Sequence, residues 1–150
     1  MTFDDAEVGR FLARSMIARI ATISARGTPQ IMPLYFVVLD GKLYMNNATT
    51  SPTVRNIQAR PHVVLLFEGD RAQIRDHCLR ITGTAAFRED PTIMRGVSLR
   101  AAWKYNLTLP ALLSTLRNAR KLPTMRRYRR ERASGMIEVT PESAEFLRMP

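Results

Sequence analysis

The residues best suited to bind a small anion lie in one segment, NNATTSPTVRN, at positions 46–56. Pro52 favours the first turn of a helix, and Ser51 is a suitable N-cap before it. The free amides and positive dipole end of such a helix attract a phosphate, and Arg55 follows one turn inside. The candidate ligands are the polar residues of the segment: Asn46, Asn47, Thr49, Thr50, Ser51, Thr53, Arg55 and Asn56. The alternative interpretation is an ordinary serine cap followed by a solvated arginine.

Other arrangements that carry chemistry are missing from the sequence. His62 begins an apolar segment, where a structural role is the simpler interpretation. His77 and Cys78 are neighbours, so in a strand they face opposite sides and cannot form one metal site or one nucleophile–base pair. Because Cys78 is the only cysteine, a disulfide framework within the chain is excluded. The glycine-rich phosphate-binding motifs and the GxSxG motif of hydrolases are also absent, and we expect no metal site.

Positive charge is concentrated near the C-terminus. The 150 residues carry a formal charge of +10, and positions 117–132 hold eight basic residues against one acidic residue, Glu131. This run fits a nucleic-acid patch, a site for an anionic small molecule, or a solvated helix face. We favour the second interpretation, in which Arg126 and Arg130 contact the substrate. Nucleic acid is disfavoured because no recognised nucleic-acid-binding motif is present.

The length and composition predict one globular domain. Hydrophobic residues make up 45% of the chain and charged residues 24%, and no apolar run reaches the length of a membrane span. The N-terminus reads MTFDDAEV, which is acidic where a secretory signal is basic. We therefore expect a cytoplasmic protein without a membrane partner.

The spacing of apolar residues predicts several helices. A first helix runs from a cap at Thr2 to about Ala13, and a second runs from Pro52 to Pro61. The pattern is helical again after Asp90-Pro91, and another helix follows from Leu109-Pro110 to Pro123.

Strands are predicted between these helices by β-branched residues, alternation and turn dipeptides. The expected strands are 16–24, 30–39, 42–47, a continuously buried 62–68, 79–88, 136–140 and a short one at 146–147. Asp40-Gly41 suits a two-residue hairpin, since both central positions need a positive φ. Strands with late helices indicate an α+β fold with a mainly antiparallel sheet closed into a barrel.

Three segments, taken together, carry a resemblance to a known family. They are R-x-A-T-x-x-x-x-G-x-P from Arg19 to Pro29, PLYFVVLDGKLYM from Pro33 to Met45, and TSPTVRNIQARPHVVLLF from Thr50 to Phe67. In this order and spacing, the chain resembles the pyridoxamine 5′-phosphate oxidase-like, FMN-binding split-barrel family.

The resemblance implies a split-barrel homodimer with a flavin-type cofactor at the subunit interface. Its phosphate would be held by the loop and helix of segment 46–56, with Asn47, Ser51 and Arg55 at family positions. Thr53 stands where the family has a lysine, and Met32 stands where oxidase members have an arginine. Pro33, Leu34 and Tyr35 would pass beside the flavin ring. FMN is the expected cofactor, and a deazaflavin coenzyme is the alternative.

The helical region at about 91–132 is an insertion relative to the family pattern. Trp103 and Tyr105 either pack helices on the barrel or cover the cofactor and select the substrate. The leading hypothesis is an oxidoreductase that transfers a hydride to or from a small organic substrate, because the cofactor performs that chemistry without a catalytic triad. The alternative is a non-catalytic protein that binds flavin, haem or, through its basic 117–132 segment, nucleic acid.

Overall fold

Three helices and seven strands form the part of the chain that the computed structural model describes, which is residues 2–69, 77–106 and 134–148. The helices are α1 (Ala6–Arg14), α2 (Pro52–Ala59) and α3 (Pro91–Asn106). The strands are β1 (Ile17–Ile23), β2 (Pro29–Tyr35), β3 (Val37–Leu39), β4 (Lys42–Ala48), β5 (His62–Glu68), β6 (His77–Arg88) and β7 (Ser134–Arg148). The expected helix at 109–123 and the basic run lie outside the described residues.

All seven strands belong to one antiparallel sheet in the order β2-β1-β5-β6-β7-β4-β3. The sheet curls until β2 approaches β4, which makes the α+β split barrel that the sequence predicts. Its concave side is filled by apolar residues that are almost completely buried, including Ile20, Leu43, Leu65, Ile81 and Ile137. Helix α2 packs against β1 and β6, and α3 packs against β3.

Two turn predictions are confirmed in detail. Asp40 and Gly41 have φ angles of 50° and 72°, and they connect β3 to β4 as a tight hairpin. Ser51 caps α2, and Pro52 occupies the first turn of that helix. Both predictions rest on local stereochemistry, which surrounding packing rarely overrides.

The expected cap of the first helix is wrong. Helix α1 begins at Ala6 with Asp5, not Thr2, in the cap position. The amide and hydroxyl of Thr2 donate to the carboxylate of Asp5 at 2.9 and 3.3 Å, so the two residues form a turn before the helix.

The predicted strand 30–39 is interrupted at Phe36, which separates β2 from β3. At this residue the chain passes from β2, which pairs with β1 at one edge of the sheet, to β3, which pairs with β4 at the other edge. The backbone amide and carbonyl of Phe36 both bond to the hydroxyl of Tyr105 in α3, 69 residues away.

Two further strand predictions are corrected. Strand β5 is buried only on one face, because Val63, Leu65 and Phe67 point into the core and Val64 is exposed. The final strand is continuous, and its register shifts where Thr82 pairs with Ser143 and the next residue pairs with Pro141. This bulge accommodates the proline within a long strand.

Candidate functional site

Helix α2 is held firmly at the end of the barrel that carries the candidate phosphate loop. The hydroxyl of Ser51 accepts the amide of Val54 at 3.1 Å, which closes the first turn. Val54 and Ile57 are buried in the core, and Thr53 is buried beside them. Arg55 lies on the opposite, exposed side of the helix.

The exposed side of α2 forms one wall of a groove of about 570 Å³. The opposite wall is the hairpin turn that joins β1 to β2. The lining residues are Ser24, Ala25, Arg26, Thr28, Gln30, Pro52, Arg55, Asn56 and Ala59. Two arginines, Arg26 from the turn and Arg55 from the helix, therefore give the groove a positive potential, and none of the described residues that line it is acidic.

The turn that carries Arg26 has a defined conformation. Ser24 and Thr28 close it, since the Ser24 amide donates to the Thr28 carbonyl at 2.9 Å and the Thr28 amide donates to the Ser24 hydroxyl at 3.1 Å. Gly27 has a φ of +79°, a conformation that favours glycine. Arg26 is not among the residues predicted from the sequence, although its position before this glycine is a signal for an exposed turn.

A buried amide connects the two walls of the groove. The side-chain NH₂ of Asn56 donates to the hydroxyl of Thr22 at 3.0 Å and to the Oε1 atom of Gln30 at 2.7 Å. Thr22 and Gln30 are direct partners across β1 and β2. Gln30 is therefore a further site residue that the sequence analysis did not identify.

The loop before α2 contributes less to the groove than the sequence predicts. Thr49 donates to the carboxylate of Glu89 at 3.3 Å, and Thr50 and Asn46 are exposed. The Oδ1 atom of Asn47 accepts the amide of Ala48 at 2.8 Å, and its buried Nδ2 atom has no hydrogen-bond partner among the described residues. Such a buried donor is available to a ligand.

The β2 residues divide between the two faces of the sheet. Met32 and Leu34 pair with buried residues of β1 and lie on its concave side. Pro33 and Tyr35 lie on the outer face, where both are exposed. A cofactor bound to one face of the sheet in a single chain can therefore contact Met32 and Leu34 or Pro33 and Tyr35, but not both pairs.

Trp103 and Tyr105 do not line the groove that contains Arg26 and Arg55, which we call the arginine groove. The hydroxyl of Tyr105 lies 2.9 Å from the carbonyl of Met16 and 2.6 Å from that of Phe36, and it accepts the Phe36 amide. Trp103 is 70% exposed and lines a second groove, between α1 and α3. Arg126 and Arg130 lie outside the described residues.

A cluster of charged and polar side chains connects β4, β6 and β7. The buried carboxylate of Glu138 accepts hydrogen bonds from Lys42 at 3.1 Å and Tyr44 at 2.9 Å, and Arg88 lies 3.4 Å away. Burial alone would raise the pKa of Glu138, but these hydrogen bonds and positive charges outweigh it and lower that pKa. Burial, followed by the bond to Glu138, raises the pKa of Tyr44 to about 12. The carboxylate is thus ionised, and the positive charges of Lys42 and Arg88 compensate its negative charge.

Lys104 links α3 to α1. Its ammonium donates to the Leu12 carbonyl at 3.2 Å and lies 3.6 Å from the ring centre of Phe36. Burial, together with the nearby charge of Arg100, lowers the pKa of Lys104 to about 8.

Two further classes of feature are absent from the described residues. Across 2–69, 77–106 and 134–148, no group of histidine, cysteine and carboxylate side chains is placed to hold a metal ion. Within those same ranges, no helix is long and apolar enough to cross a membrane.

Structural comparison finds the same fold in proteins of low sequence identity. A conserved hypothetical protein from Mycobacterium tuberculosis matches with a TM-score of 0.72 and 18% identity over 97% of this chain and 84% of its own. An F420 reductase matches with a TM-score of 0.63 and 22% identity over 91% and 94%. The haem storage protein of Vibrio cholerae matches with a TM-score of 0.64 and 15% identity over 99% and 95%.

Sequence comparison identifies the family. No curated protein sequence matches the chain significantly. The family model described as pyridoxamine 5′-phosphate oxidase matches residues 4–148, nearly the whole chain. With the split barrel, this match shows that the chain belongs to the pyridoxamine 5′-phosphate oxidase family.

Proposed function

We propose that this protein binds a phosphorylated flavin-type cofactor and acts as an oxidoreductase on a small organic substrate. FMN is the cofactor we favour, and a deazaflavin coenzyme is the alternative. The observation that carries the proposal is the groove between α2 and the β1–β2 turn, which Arg26 and Arg55 line from opposite walls. It adjoins the helix to which the family resemblance assigns the cofactor phosphate.

The residues present fit the anionic end of such a cofactor. Position 53 carries a lysine in the family pattern. Here it is an uncharged threonine that is 4% exposed, so it offers no cation. Arg26 supplies a second positive charge from the other wall of the groove, and arginine is well suited to phosphate oxygens. Asn47 at the end of β4, which does not line the groove, has a buried Nδ2 atom without a hydrogen-bond partner among the described residues.

When bound, the flavin supplies the hydride-transfer chemistry. The residues of this chain then have three tasks, which are to hold the phosphate, to orient the ring and to exclude water. Arg26 and Arg55 serve the first task, and the apolar residues Met32 and Leu34 on the concave side of β2 serve the others. No acid or base from the chain is required.

Titration with FMN tests the site directly. Replacing Arg55 with Ala removes a charge-assisted hydrogen bond worth about 1.5–3 kcal/mol, which corresponds to a roughly tenfold to hundredfold loss of FMN affinity. Arg26→Ala should act in the same direction. Arg10→Ala, which removes an exposed arginine of α1 outside the groove, is the matched control and should leave the affinity unchanged.

The outcomes separate the competing functions. Binding of FMN or of the deazaflavin coenzyme that weakens in Arg55→Ala supports the proposed site. Equal affinity in wild type and Arg55→Ala would refute the site. A haem absorption band in the purified protein, with no flavin binding, would refute the function. The redox step is tested by comparing the rates at which a quinone oxidises photoreduced FMN in the loaded protein and in free solution, and a protein that gives no faster oxidation than free FMN would contradict a catalytic role with this acceptor.

We also propose that the protein is a homodimer through the outer face of β2, β1 and β5. Five large hydrophobic side chains are exposed there: Ile17, Ile23, Ile31, Tyr35 and Val64. The same face also carries the ion pair of Arg19 and Glu68 at 2.8 Å, but a soluble monomer seldom exposes this many large apolar side chains on one face. Pro29 and Pro33 lie on edge strand β2, and prolines there oppose simple extension of the sheet. The face is therefore suited to packing against a second copy.

Sedimentation measures this association. Ile31 is 68% exposed, so Ile31→Glu should spare the fold of one chain and place a charge in the interface, which shifts the protein towards monomer at micromolar concentration. Leu99→Glu is the matched control, because Leu99 is similarly exposed but lies on α3. A wild-type protein that sediments as a folded monomer would contradict the proposal.

A further inference from the structure

One exposed amide, that of Gln30, lies at the arginine groove with its oxygen bonded to α2. Gln30 lies on β2 at the groove, and its Oε1 atom accepts a hydrogen bond from Asn56 at 2.7 Å. The two ends of a glutamine amide differ, since one only accepts and the other only donates. With its oxygen bonded to Asn56, the NH₂ group of Gln30 has no partner among the described residues and can face the groove.

Asn56 is itself held in place by two contacts. It is 7% exposed, and its NH₂ group also donates to the hydroxyl of Thr22 at 3.0 Å. Both N–H bonds of Asn56 are therefore used, one on Thr22 and one on Gln30. The strand register places Thr22 directly opposite Gln30. Asn56, which belongs to α2, contacts both of these side chains.

We propose that Gln30 is a direct donor to the anionic end of the ligand and that Asn56 is the positioning residue that keeps it a donor. The inference rests on the proposed function, because it deepens the description of the same groove. The two arginines attract an anion over a distance, and neither fixes which end of the Gln30 amide faces it. An outward-facing oxygen would oppose the phosphate oxygens, whereas an outward-facing NH₂ group binds them.

The test compares FMN with riboflavin, which has the same ring system and lacks the phosphate. Gln30→Met keeps the length of the side chain and removes its donor. Loss of one hydrogen bond to a charged group should weaken FMN binding about tenfold or more. Riboflavin affinity should change little. Because Gln30 is an exposed residue on an edge strand, this variant should fold normally.

A double-mutant cycle tests the role of Asn56. Asn56→Leu preserves volume and releases Gln30, and it should weaken FMN binding about three- to tenfold, because the amide spends only part of its time facing the ligand. In the Gln30→Met background the same change should have almost no further effect on FMN affinity. A merely structural role for Asn56 would instead lower affinity equally in both backgrounds and for both ligands.

The inference and the proposed function fail in different ways. If Arg55→Ala weakens FMN binding but Gln30→Met does not, the inference is wrong and the proposed site stands. If neither FMN nor riboflavin binds, inorganic pyrophosphate is the probe, and its stabilisation of the protein against heat should still decrease in Gln30→Met. Equal stabilisation of wild type and Gln30→Met by pyrophosphate would overturn the inference independently of any flavin. If Asn56→Leu does not fold, Thr22→Val releases Asn56 in its place and should weaken FMN binding in the same direction.

Discussion

Replacement of Tyr44 with Phe should destabilise the protein in a way that depends on pH. The Tyr44 hydroxyl donates to Oε2 of Glu138 at 2.9 Å, whereas Lys42 and Arg88 both approach Oε1. Without the hydroxyl, Oε2 of a carboxylate whose side chain is only 6% exposed loses the bond from Tyr44. A hydrogen bond to a buried charged group contributes about 1.5–3 kcal/mol, so we expect a loss of that size at pH 7.

The sign of the pH dependence follows from the two pKa shifts. The pKa of Glu138 is lowered in the folded protein, so its stabilisation is present above its ordinary value of 4.5 and is lost as the pH falls through the folded value. The difference between wild type and Tyr44→Phe should therefore shrink below pH 4.5. The pKa of Tyr44 is raised to about 12, so the wild type should also lose stability between pH 10 and 12, and the variant should lack that loss.

Urea unfolding at pH 7, pH 3.5 and pH 11 measures these differences. Glu138→Gln provides the control, because in that background Tyr44→Phe removes only a neutral hydrogen bond and should cost about 1 kcal/mol. An equal loss of stability in Tyr44→Phe at all three pH values would refute the assigned linkage between the two groups.

Two further changes test contacts that position the strands. Tyr105→Phe removes the hydroxyl that binds Met16 and both backbone groups of Phe36, and it should lower the free energy of unfolding by about 1–3 kcal/mol in a urea titration. No measurable loss would mean that the break between β2 and β3 does not depend on this hydroxyl. Gly135→Ala places a Cβ 2.7 Å from the carbonyl oxygen of Arg88, a backbone atom that cannot easily move, and should cost about 1–3 kcal/mol. A melting temperature equal to that of wild type would contradict this close approach.

Local sequence signals predicted the elements whose causes are local. Asp40-Gly41 forms its turn because of backbone stereochemistry at two residues, and Ser51-Pro52 begins α2 for a similarly local reason. The interruption at Phe36 could not be predicted in this way, since it depends on β2 and β3 pairing at opposite edges of the sheet. The one-sided burial of β5 likewise depends on its neighbours in the sheet and not on its own apolar composition.

The residues of the candidate site likewise differ in whether local sequence signals predict them. Arg55 was predicted because Ser51 and Pro52 mark the start of its helix in the sequence. The structure places Arg55 in the wall of a groove. Arg26 and Gln30 were missed because an arginine in a turn and a glutamine on an edge strand are ordinary surface residues when considered alone. Asn56 acquires its partners only when α2 packs over the paired strands.

In the proposed site, the groove compensates for the absence of the lysine that the family pattern has at position 53. Thr53 is buried by the packing of α2, so a cation there would have to leave the core to reach a ligand. A cation on the β1–β2 turn meets no such cost, because Arg26 is exposed and the turn is closed by its own hydrogen bonds. The charge therefore comes from a second element across the groove. A site built from two elements depends on their separation, and the Asn56–Gln30 contact at 2.7 Å links the helix to the hairpin.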